Sequence, residues 1–352
     1  MEAPHLHYRP TLDLFEIEVR FGKLLVRGRI SDNDIERRIV RIGERFSIYA
    51  ACSPFGLWAP GLDITREMRL ASELYLPLDE VRSAFRRLVS LSLKYAASLT
   101  ATVFYSSPSW LDVLHRLHLQ GREANPARML RRSLDEGEFR SRLLCSLFLP
   151  RHYGGSFDRY PQQTAFLRNW LERNGPSGRI RCLDAACGSG ESTYELALLL
   201  LECGYDPEKV TVHGITIEPL ELFAAAHGWF PHDPPRQAAF RRRIGRLMTG
   251  AAVDIAFCRE DLTGSSPRTG EGYDIILCNG FLGGPFLNRR EALVETIGRL
   301  TSQLRPGGIF LAADRFHGGW KRTVPDDTMR GILAGCGLRL LYANEGVAGM
   351  KP

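Results

Sequence analysis

Short apolar segments alternate with segments of helical periodicity through the second half of this 352-residue chain, and this alternation constrains the fold more than any other feature. Strands are predicted at 180–185, 209–217, 253–258, 273–278, 308–313 and 338–342, and helices at 191–202, 220–226, 288–304 and 326–334. Such an alternation is typical of a mainly parallel sheet with helices on both faces. The sequence therefore predicts an α/β fold for this half.

A glycine-rich turn follows the first of these strands, in the segment LDAACGSG at 183–190. A turn of this kind between a strand and a helix lets the backbone approach a ligand closely. A dinucleotide site would need a third glycine at Thr193, and a P-loop would need a Gly-Lys-Ser/Thr sequence. Glu191 also places a negative charge where a pyrophosphate would lie. The turn favours a cationic ligand such as S-adenosylmethionine, with an ordinary ligand-free turn as the alternative.

The same segment resembles the first motif of the class I S-adenosylmethionine-dependent methyltransferases. Later segments resemble further motifs of that family in the required order: VHGITIEP at 212–219, FCREDL at 257–262, YDIILCN at 273–279 and LRPGGIF at 304–310. Together they cover roughly residues 180 to 315. The resemblance implies a Rossmann-like, seven-stranded methyltransferase core.

The resemblance also implies which residues bind S-adenosyl-L-methionine as the cofactor. They are Asp184, Ala186, Gly188, Gly190, Glu191, Thr216, Glu218, Asp261, Leu262, Cys278 and Asn279. Asp261 is placed for the exocyclic amine of adenine. The family's acid for the ribose hydroxyls is replaced by Thr216, so either Glu218 takes over or the ribose is held differently.

A narrower resemblance is to the chemotaxis-receptor glutamate O-methyltransferases, the CheR-type family. GESTY at 190–194 resembles their Gly-Glu-x-x-Tyr segment, and SFDRYP at 156–161 is similar to their Ser-Phe-Phe-Arg-Asp-Pro segment. This resemblance implies that Arg159 lies beside the site of methyl transfer. It also implies that Glu191 holds the ammonium of the methionine moiety.

The chain departs from the CheR-type pattern at three places. Gly155 replaces a threonine, and Cys-Asn-Gly at 278–280 replaces Cys-Arg-Asn. The family carries a stranded receptor-docking subdomain where residues 228–252 of this chain indicate a loop and a helix. These departures favour a small-molecule acceptor over a chemoreceptor glutamate. A non-catalytic binding or regulatory module with the same fold is the third hypothesis.

Two side chains are candidates for the chemistry itself. Arg159 could orient a carboxylate nucleophile, which needs no base, through a two-pronged hydrogen bond. His317 follows the predicted strand at 308–313 and could act as a base toward a hydroxyl or an amine. The expected acceptor is a small molecule or a protein carboxylate.

The domain boundary is predicted near residue 150. Residues 1–150 are expected to form a mostly helical domain with a short β-hairpin, its strands at 14–20 and 24–30, and with a role in substrate binding or capping. Residues 151–352 are expected to form the methyltransferase domain. The length of the chain suits two ordinary domains.

Composition narrows the partners. The net charge of +6 is the difference between 46 basic and 40 acidic residues, and only 5 of the basic residues are lysine. The densest basic patch, at 241–243, is typical of a solvated helix face, so no nucleic-acid partner is expected. The eight cysteines lack Cys-x-x-Cys spacing and are expected to be free thiols, with no metal site. No segment approaches the ~18 to 20 apolar residues of a membrane span, and residues 1–10 lack an export signal. We therefore expect a cytoplasmic protein, and a homodimer is left open.

Overall fold

The computed structural model describes residues 6–53, 63–97, 102–117, 124–149, 156–249, 252–264, 272–284, 287–314 and 324–352. Its strands are β1 (His7–Tyr8), β2 (Ile180–Asp184), β3 (Val210–Thr216), β4 (Asp254–Arg259), β5 (Tyr273–Leu277), β6 (Leu304–Ala312), β7 (Arg339–Leu341) and β8 (Val347–Met350). Its helices are α1 (Leu14–Leu24), α2 (Asn33–Cys52), α3 (Arg66–Tyr75), α4 (Leu78–Ser92), α5 (Val103–Ser106), α6 (Trp110–Leu117), α7 (Pro126–Asp135), α8 (Gly137–Phe148), α9 (Pro161–Asn174), α10 (Glu191–Glu202), α11 (Pro219–His227), α12 (Pro234–Thr249), α13 (Arg290–Ser302) and α14 (Asp326–Gly335). The chain divides into a sheet unit, 1–12 with 151–229 and 236–352, and a helical unit, 13–150 with 230–235.

The sheet runs in the order β1-β4-β3-β2-β5-β6-β8-β7. Strands β2 to β6 pair in parallel, whereas β8 is antiparallel to both β6 and β7. From β2 the chain builds outward through β3 and β4 on one side and through β5 and β6 on the other. This reversal makes the sheet Rossmann-like and doubly wound, with its switch point between β2 and β5. The predicted α/β fold class is confirmed.

Two strands of the sheet were not located from the sequence. β8 has the sequence Val-Ala-Gly-Met, whose small residues give little strand propensity, and it is held by pairing on both sides. β1 has two residues and pairs antiparallel with β4 through His7 opposite Cys258. It makes the sheet eight-stranded rather than seven-stranded.

The predicted β-hairpin in the helical unit is wrong. Residues 14–24 form helix α1, and the Asp13 side chain caps it by accepting a hydrogen bond from Glu16 N at 2.8 Å. The alternation seen between residues 14 and 20 is short, and Ile17 and Leu24 also stand seven residues apart, on one helical face that is buried. In place of the second strand expected at 24–30, the described residues form only an isolated bridge between Leu25 and Leu93.

The core of the helical unit contains a cluster of aromatic rings and a buried arginine. Phe85 packs against Phe104 and Trp110 at centroid distances of 4.8 and 6.1 Å. Arg140 is 1% exposed and donates hydrogen bonds to the carbonyls of Val26, Gly28, Ser133 and Leu134. The guanidinium therefore ties the loop after α1 to the end of α7.

The interval between β3 and β4 carries helices α11 and α12. α11 agrees with the helix predicted at 220–226, and α12 with the loop and helix predicted at 228–252. No strand is seen in its described part, up to residue 249. No helix in the described ranges is long and apolar enough to cross a membrane.

Candidate functional site

The carboxyl ends of the parallel strands bring most of the predicted binding residues to one edge of the sheet. Asp184 ends β2 and Thr216 ends β3, while Cys278 follows β5 directly. Beside the switch point, Ala185 N donates to Leu277 O at 2.7 Å, which aligns the ends of β2 and β5. Ligands of open α/β sheets bind in the crevice at this position. His317, predicted as a base, lies outside the described residues.

The glycine-rich turn needs both of its glycines, for different reasons. Gly188 and Gly190 have φ angles of +51° and +91°, which favour glycine. A Cβ on Gly190 would lie 2.7 Å from Ala225 Cβ, so α11 packs directly against the turn. A Cβ on Gly188 would meet no atom within 4 Å. The turn therefore leaves open space over Gly188, where a ligand could contact the backbone.

Asp184 stabilises the glycine-rich turn through hydrogen bonds with the helix that follows it. Its side chain is fully buried, and Oδ2 accepts hydrogen bonds from Ser192 Oγ at 2.5 Å and Thr193 Oγ1 at 2.7 Å. Burial raises the pKa of this carboxyl, although the two hydroxyl donors act in the opposite direction. Asp184 thereby fixes the first turn of α10 next to the two glycines.

Glu191, the predicted partner of a ligand ammonium, is already paired with an arginine that sequence reasoning did not select. Arg236 Nη2 donates to Glu191 Oε1 at 2.8 Å and to Ser189 Oγ at 2.8 Å. Ser189 Oγ donates in turn to Glu191 Oε2 at 2.7 Å. The Arg236 and Glu191 side chains are only 9% and 6% exposed. A buried ion pair therefore lies at the N-terminus of α10.

A carboxyl near the end of β3, that of Glu221, is not among the residues that the family's motifs indicate. Thr216 Oγ1 donates to Glu221 Oε2 at 2.7 Å, and Glu218 N donates to Thr216 Oγ1 at 3.3 Å. Burial raises the pKa of Glu221 to about 7, and the negative charge of Glu191 acts in the same direction. Glu221 lies in the first turn of α11, and a carboxyl in the first turn of a helix that follows a strand end lies at the same sheet edge, so this position was the available signal.

Asp261 and Leu262 follow β4, as the resemblance implies. Asp261 is exposed, and its Oδ1 accepts hydrogen bonds from Thr263 N at 2.8 Å and Thr263 Oγ1 at 2.7 Å. Leu262 packs against the hydrophobic core of the sheet unit. The carboxylate stabilises its own turn at the sheet edge.

Asn279 and Arg159 both lie near the end of β5. Asn279 exchanges two hydrogen bonds with Gln163 of α9, at 2.7 and 3.1 Å, and accepts a third from Ala313 N at 2.8 Å. A Cβ on Gly280 would lie 3.6 Å from the Arg159 guanidinium nitrogens. The structure thus brings Arg159 to the carboxyl edge of the sheet, and Gln163 is a contact that the sequence did not reveal.

The segment that carries Arg159 is held by two helices of the sheet unit. Asp158 has a φ of +57°, and its backbone N donates to the Glu195 carboxylate of α10. Arg243 of α12 pairs with the Asp158 carboxylate at 3.1 Å. Burial raises the pKa of Glu195 to about 7. We call these three side chains, Asp158, Glu195 and Arg243, the Asp158 clamp.

Comparisons with known proteins find only distant similarity. No family model matches the sequence, and no curated protein matches it. The N-methyltransferase NodS from Bradyrhizobium japonicum WM9, in complex with S-adenosyl-L-homocysteine, aligns over 60% of this chain and 97% of its own at 16% identity, with a TM-score of 0.40. The sugar N-methyltransferase KedS8 from Streptoalloteichus sp. aligns over 56% of this chain and 89% of its own at 15% identity, with a TM-score of 0.35.

A third solved structure, the cyclase SpnF, aligns over 55% of this chain at 20% identity with a TM-score of 0.34. This chain spans 62% of the length of the SpnF chain. All three TM-scores lie below 0.5. The function proposed for this chain therefore depends on its own residues.

Proposed function

We propose that this chain is an S-adenosylmethionine-dependent methyltransferase that acts on a small-molecule acceptor. The observation that carries the proposal is the glycine-rich turn at the switch point of the sheet, with open space over Gly188. Ligands of open α/β sheets bind at such a point. The Glu221 carboxyl and the Glu191 carboxyl, which is already paired with Arg236, lie near the turn, and their oxygens suit a ligand that carries positive charge.

The residues at the edge of the sheet fit the parts of this cofactor. The methionine moiety would lie over Gly188 with Glu191 near its ammonium. Thr216 and Glu221, already joined by a hydrogen bond, supply oxygens for the ribose hydroxyls. Asp261 would face the exocyclic amine of adenine, as the resemblance implies. S-adenosylmethionine, when bound, supplies a methyl group on a positively charged sulfur.

The chain's own part in methyl transfer is to align the acceptor and to exclude water. Alignment of reacting groups is worth ~7 to 11 kcal/mol in well-oriented systems. Arg159 lies over Gly280 at the end of β5 and can orient an acceptor carboxylate through its guanidinium. Asn279, fixed by Gln163 and Ala313 N, stiffens the same strand end. For a hydroxyl or amine acceptor, His317 is the proposed base.

The acceptor proposal rests on the interval between β3 and β4. Its described part is helical in α11 and α12, whereas a chemoreceptor-docking subdomain of the CheR type would be stranded there. α12 also delivers Arg236 and Arg243 to the site instead of presenting a sheet edge. A small molecule is therefore favoured over a chemoreceptor glutamate.

Titration calorimetry with S-adenosylmethionine and S-adenosylhomocysteine tests the proposal. We expect a dissociation constant in the micromolar range or below for both compounds and no measurable heat with NAD or ATP. Absence of binding to both sulfur compounds would overturn the proposed function. The small-molecule assignment is tested separately with the methyl-labelled cofactor in a cell extract. The radiolabel incorporated is measured in the fractions below and above a cut-off of about 3 kDa, which separates metabolites from proteins.

Arg159 has its own test once an acceptor is in hand. Arg159→Ala should lower turnover by about 100-fold, the scale of a misaligned reactant, and should leave the affinity for S-adenosylhomocysteine unchanged. The exposed Arg242→Ala of α12 is the control. Equal turnover in the wild type and in Arg159→Ala would remove Arg159 from the chemistry.

A further inference from the structure

The residue before Arg159 has an unfavourable backbone conformation that neighbouring helices hold in place. In the described part of the chain, Asp158 is the only residue other than glycine with a positive φ, +57°. Its backbone N donates to the Glu195 carboxylate of α10, and its own carboxylate pairs with Arg243 of α12 at 3.1 Å. Such conformations persist only where the surrounding structure holds them, and they are frequent at functional sites. The Asp158 clamp thus maintains a strained residue directly beside the arginine.

Packing also fixes the chain on both sides of this strained residue and the arginine. The centres of the Phe157 and Phe240 rings lie 5.3 Å apart, and the Arg243 guanidinium lies 5.7 Å from the centre of the Phe157 ring. Further along the chain, Tyr160 is buried, and its carbonyl accepts hydrogen bonds from Thr164 N and Oγ1 in the first turn of α9. The backbone that carries the arginine is therefore fixed from both directions.

The strained residue also determines where the arginine side chain points. A single residue with a positive φ turns the chain sharply, so Asp158 sets the direction in which the Arg159 side chain leaves the backbone. That side chain reaches the turn after β5, where a Cβ on Gly280 would lie 3.6 Å from each of its Nη atoms. Gly280 is held in turn, because its N donates to Ala313 O at 2.8 Å. The guanidinium therefore lies against a fixed part of the carboxyl edge.

We propose that Glu195 and Arg243 are positioning residues for methyl transfer, and that through Asp158 they hold the Arg159 guanidinium at the turn after β5. This inference rests on the proposed function, in which Arg159 orients the acceptor. A misplacement of about 1 Å in an aligning group can lower a rate roughly 100-fold. Arginine is long and has many rotamers, so it keeps its alignment only if the backbone beneath it does not move.

The two contacts of the clamp should contribute unequally. Glu195 is part-buried, so its hydrogen bond to Asp158 N is shielded from competition with water. The Arg243 and Asp158 side chains are 47% and 71% exposed, and ion pairs between exposed side chains are weak. Arg243 adds its contact with the Phe157 ring. Glu195 is therefore expected to have the larger effect on the arginine.

The test measures how fast each variant transfers label from methyl-labelled S-adenosylmethionine, at saturating concentration, to an extract of the cells that make the protein. Glu195→Ala should lower this rate about tenfold to 100-fold, the scale of a misaligned reactant. Arg243→Gln should lower it about threefold to fivefold. Glu195→Gln keeps an oxygen that can accept from Asp158 N and should retain most of the rate. The exposed Arg242→Gln of α12 is the control. Every variant should bind S-adenosylhomocysteine with wild-type affinity in titration calorimetry.

A double-mutant cycle with Arg159→Ala separates positioning from a structural role. Once Arg159 is alanine, Glu195→Ala and Arg243→Gln should each change the rate by less than about 1.5-fold, because they act through the missing guanidinium. Equal fold-losses in both backgrounds would overturn the inference. It would also be overturned by wild-type rates in both single variants or in Arg159→Ala.

Two further features keep the test decisive. Arg243→Gln changes an exposed side chain, so its cycle can be measured even if Glu195→Ala folds poorly. A wild type that transfers no label to the extract would overturn the proposed function, and the inference with it. Label transfer with additive losses would instead overturn the inference alone.

Discussion

At the carboxyl edge of the sheet, one residue of the glycine-rich turn is needed for packing and another is free to contact a ligand. Gly190 is required by packing, because Ala225 of α11 and Phe257 of β4 lie against its Cα hydrogen. Gly188 faces open space. The sequence motif contained both glycines but did not distinguish between them. Only the positions of α11 and β4 show which one is free to approach a ligand.

Alanine substitutions at the two glycines should separate stability from binding. Gly190→Ala combines a positive φ with a Cβ contact of 2.7 Å and should destabilise the protein by roughly 2 to 4 kcal/mol. Gly188→Ala adds only the backbone strain of about 1 kcal/mol but should weaken S-adenosylhomocysteine binding about tenfold or more, because the methyl group enters the open space. Urea unfolding and calorimetry measure the two effects. Unchanged affinity in Gly188→Ala would place the ligand elsewhere.

Glu195 of the Asp158 clamp should make stability depend on pH. Burial raises its pKa from 4.5 to about 7, so between these values the unfolded chain has released a proton that the folded chain still holds. Stability therefore falls as pH rises from about 4.5 to about 7 and is free of this effect at lower pH. Glu195→Gln, which cannot ionise, should gain stability relative to the wild type between pH 4.5 and pH 8, by at most about 3 kcal/mol at ~1.4 kcal/mol per pKa unit and by less because solvent screens this part-buried carboxyl. Urea unfolding at both pH values checks this gain, and a pH-independent difference would contradict it.

Most secondary-structure elements follow local sequence signals, but distant residues supply some of the contacts that hold them. α10 begins at Glu191 and β5 at Tyr273, as periodicity predicts. In contrast, the N-terminus of α9 is capped by the Glu345 carboxylate, which accepts hydrogen bonds from Gln162 N and Gln163 N across more than 180 residues of chain. No local pattern announces such a cap. At α1 the prediction of a strand was wrong because a second local signal, the helix cap at Asp13, outweighed a short strand-like alternation.

The buried arginine of the helical unit gives a prediction at the scale of elements. Arg140 bonds four backbone carbonyls that belong to the loop after α1 and to the end of α7. Arg140→Met should leave these carbonyls without their donor and destabilise the protein by about 3 kcal/mol or more. Arg142→Met, exposed on the same helix α8, should change stability by less than about 0.5 kcal/mol. Similar midpoints of urea unfolding for the two variants would show that the Arg140 bonds contribute little.

At the scale of the whole molecule, the order of strands decides where chemistry takes place. The reversal between β2 and β5 opens a crevice at the carboxyl ends of the strands, and the motif residues of four different segments meet at that edge. The amino ends of the same strands carry none of the predicted binding residues. The two edges of one sheet should therefore respond differently to the ligand.

Hydrogen exchange with mass spectrometry can test this difference between the two edges. Saturating S-adenosylhomocysteine should slow exchange at 184–190, 216–221 and 278–280, by up to about 100-fold at roughly 100 times the dissociation constant. Residues 207–210 and 272–274, at the amino ends of β3 and β5, should change little. Protection at the amino ends in place of the carboxyl ends would contradict the placement of the site.

The sequence by itself determined the alternation of strands and helices, the glycine-rich turn and the presence of Arg159 in the segment that precedes α9. These features depend on residues a few positions apart, and periodicity and turn chemistry express them directly. The tertiary structure alone decided that Glu191 is paired with Arg236, 45 residues away, and that Asn279 is held by Gln163, 116 residues away. The insertion of β8 between β6 and β7 was likewise decided by pairing. Contacts across such separations form only when packing brings whole elements together, so the electrostatic character of the site was settled by the fold.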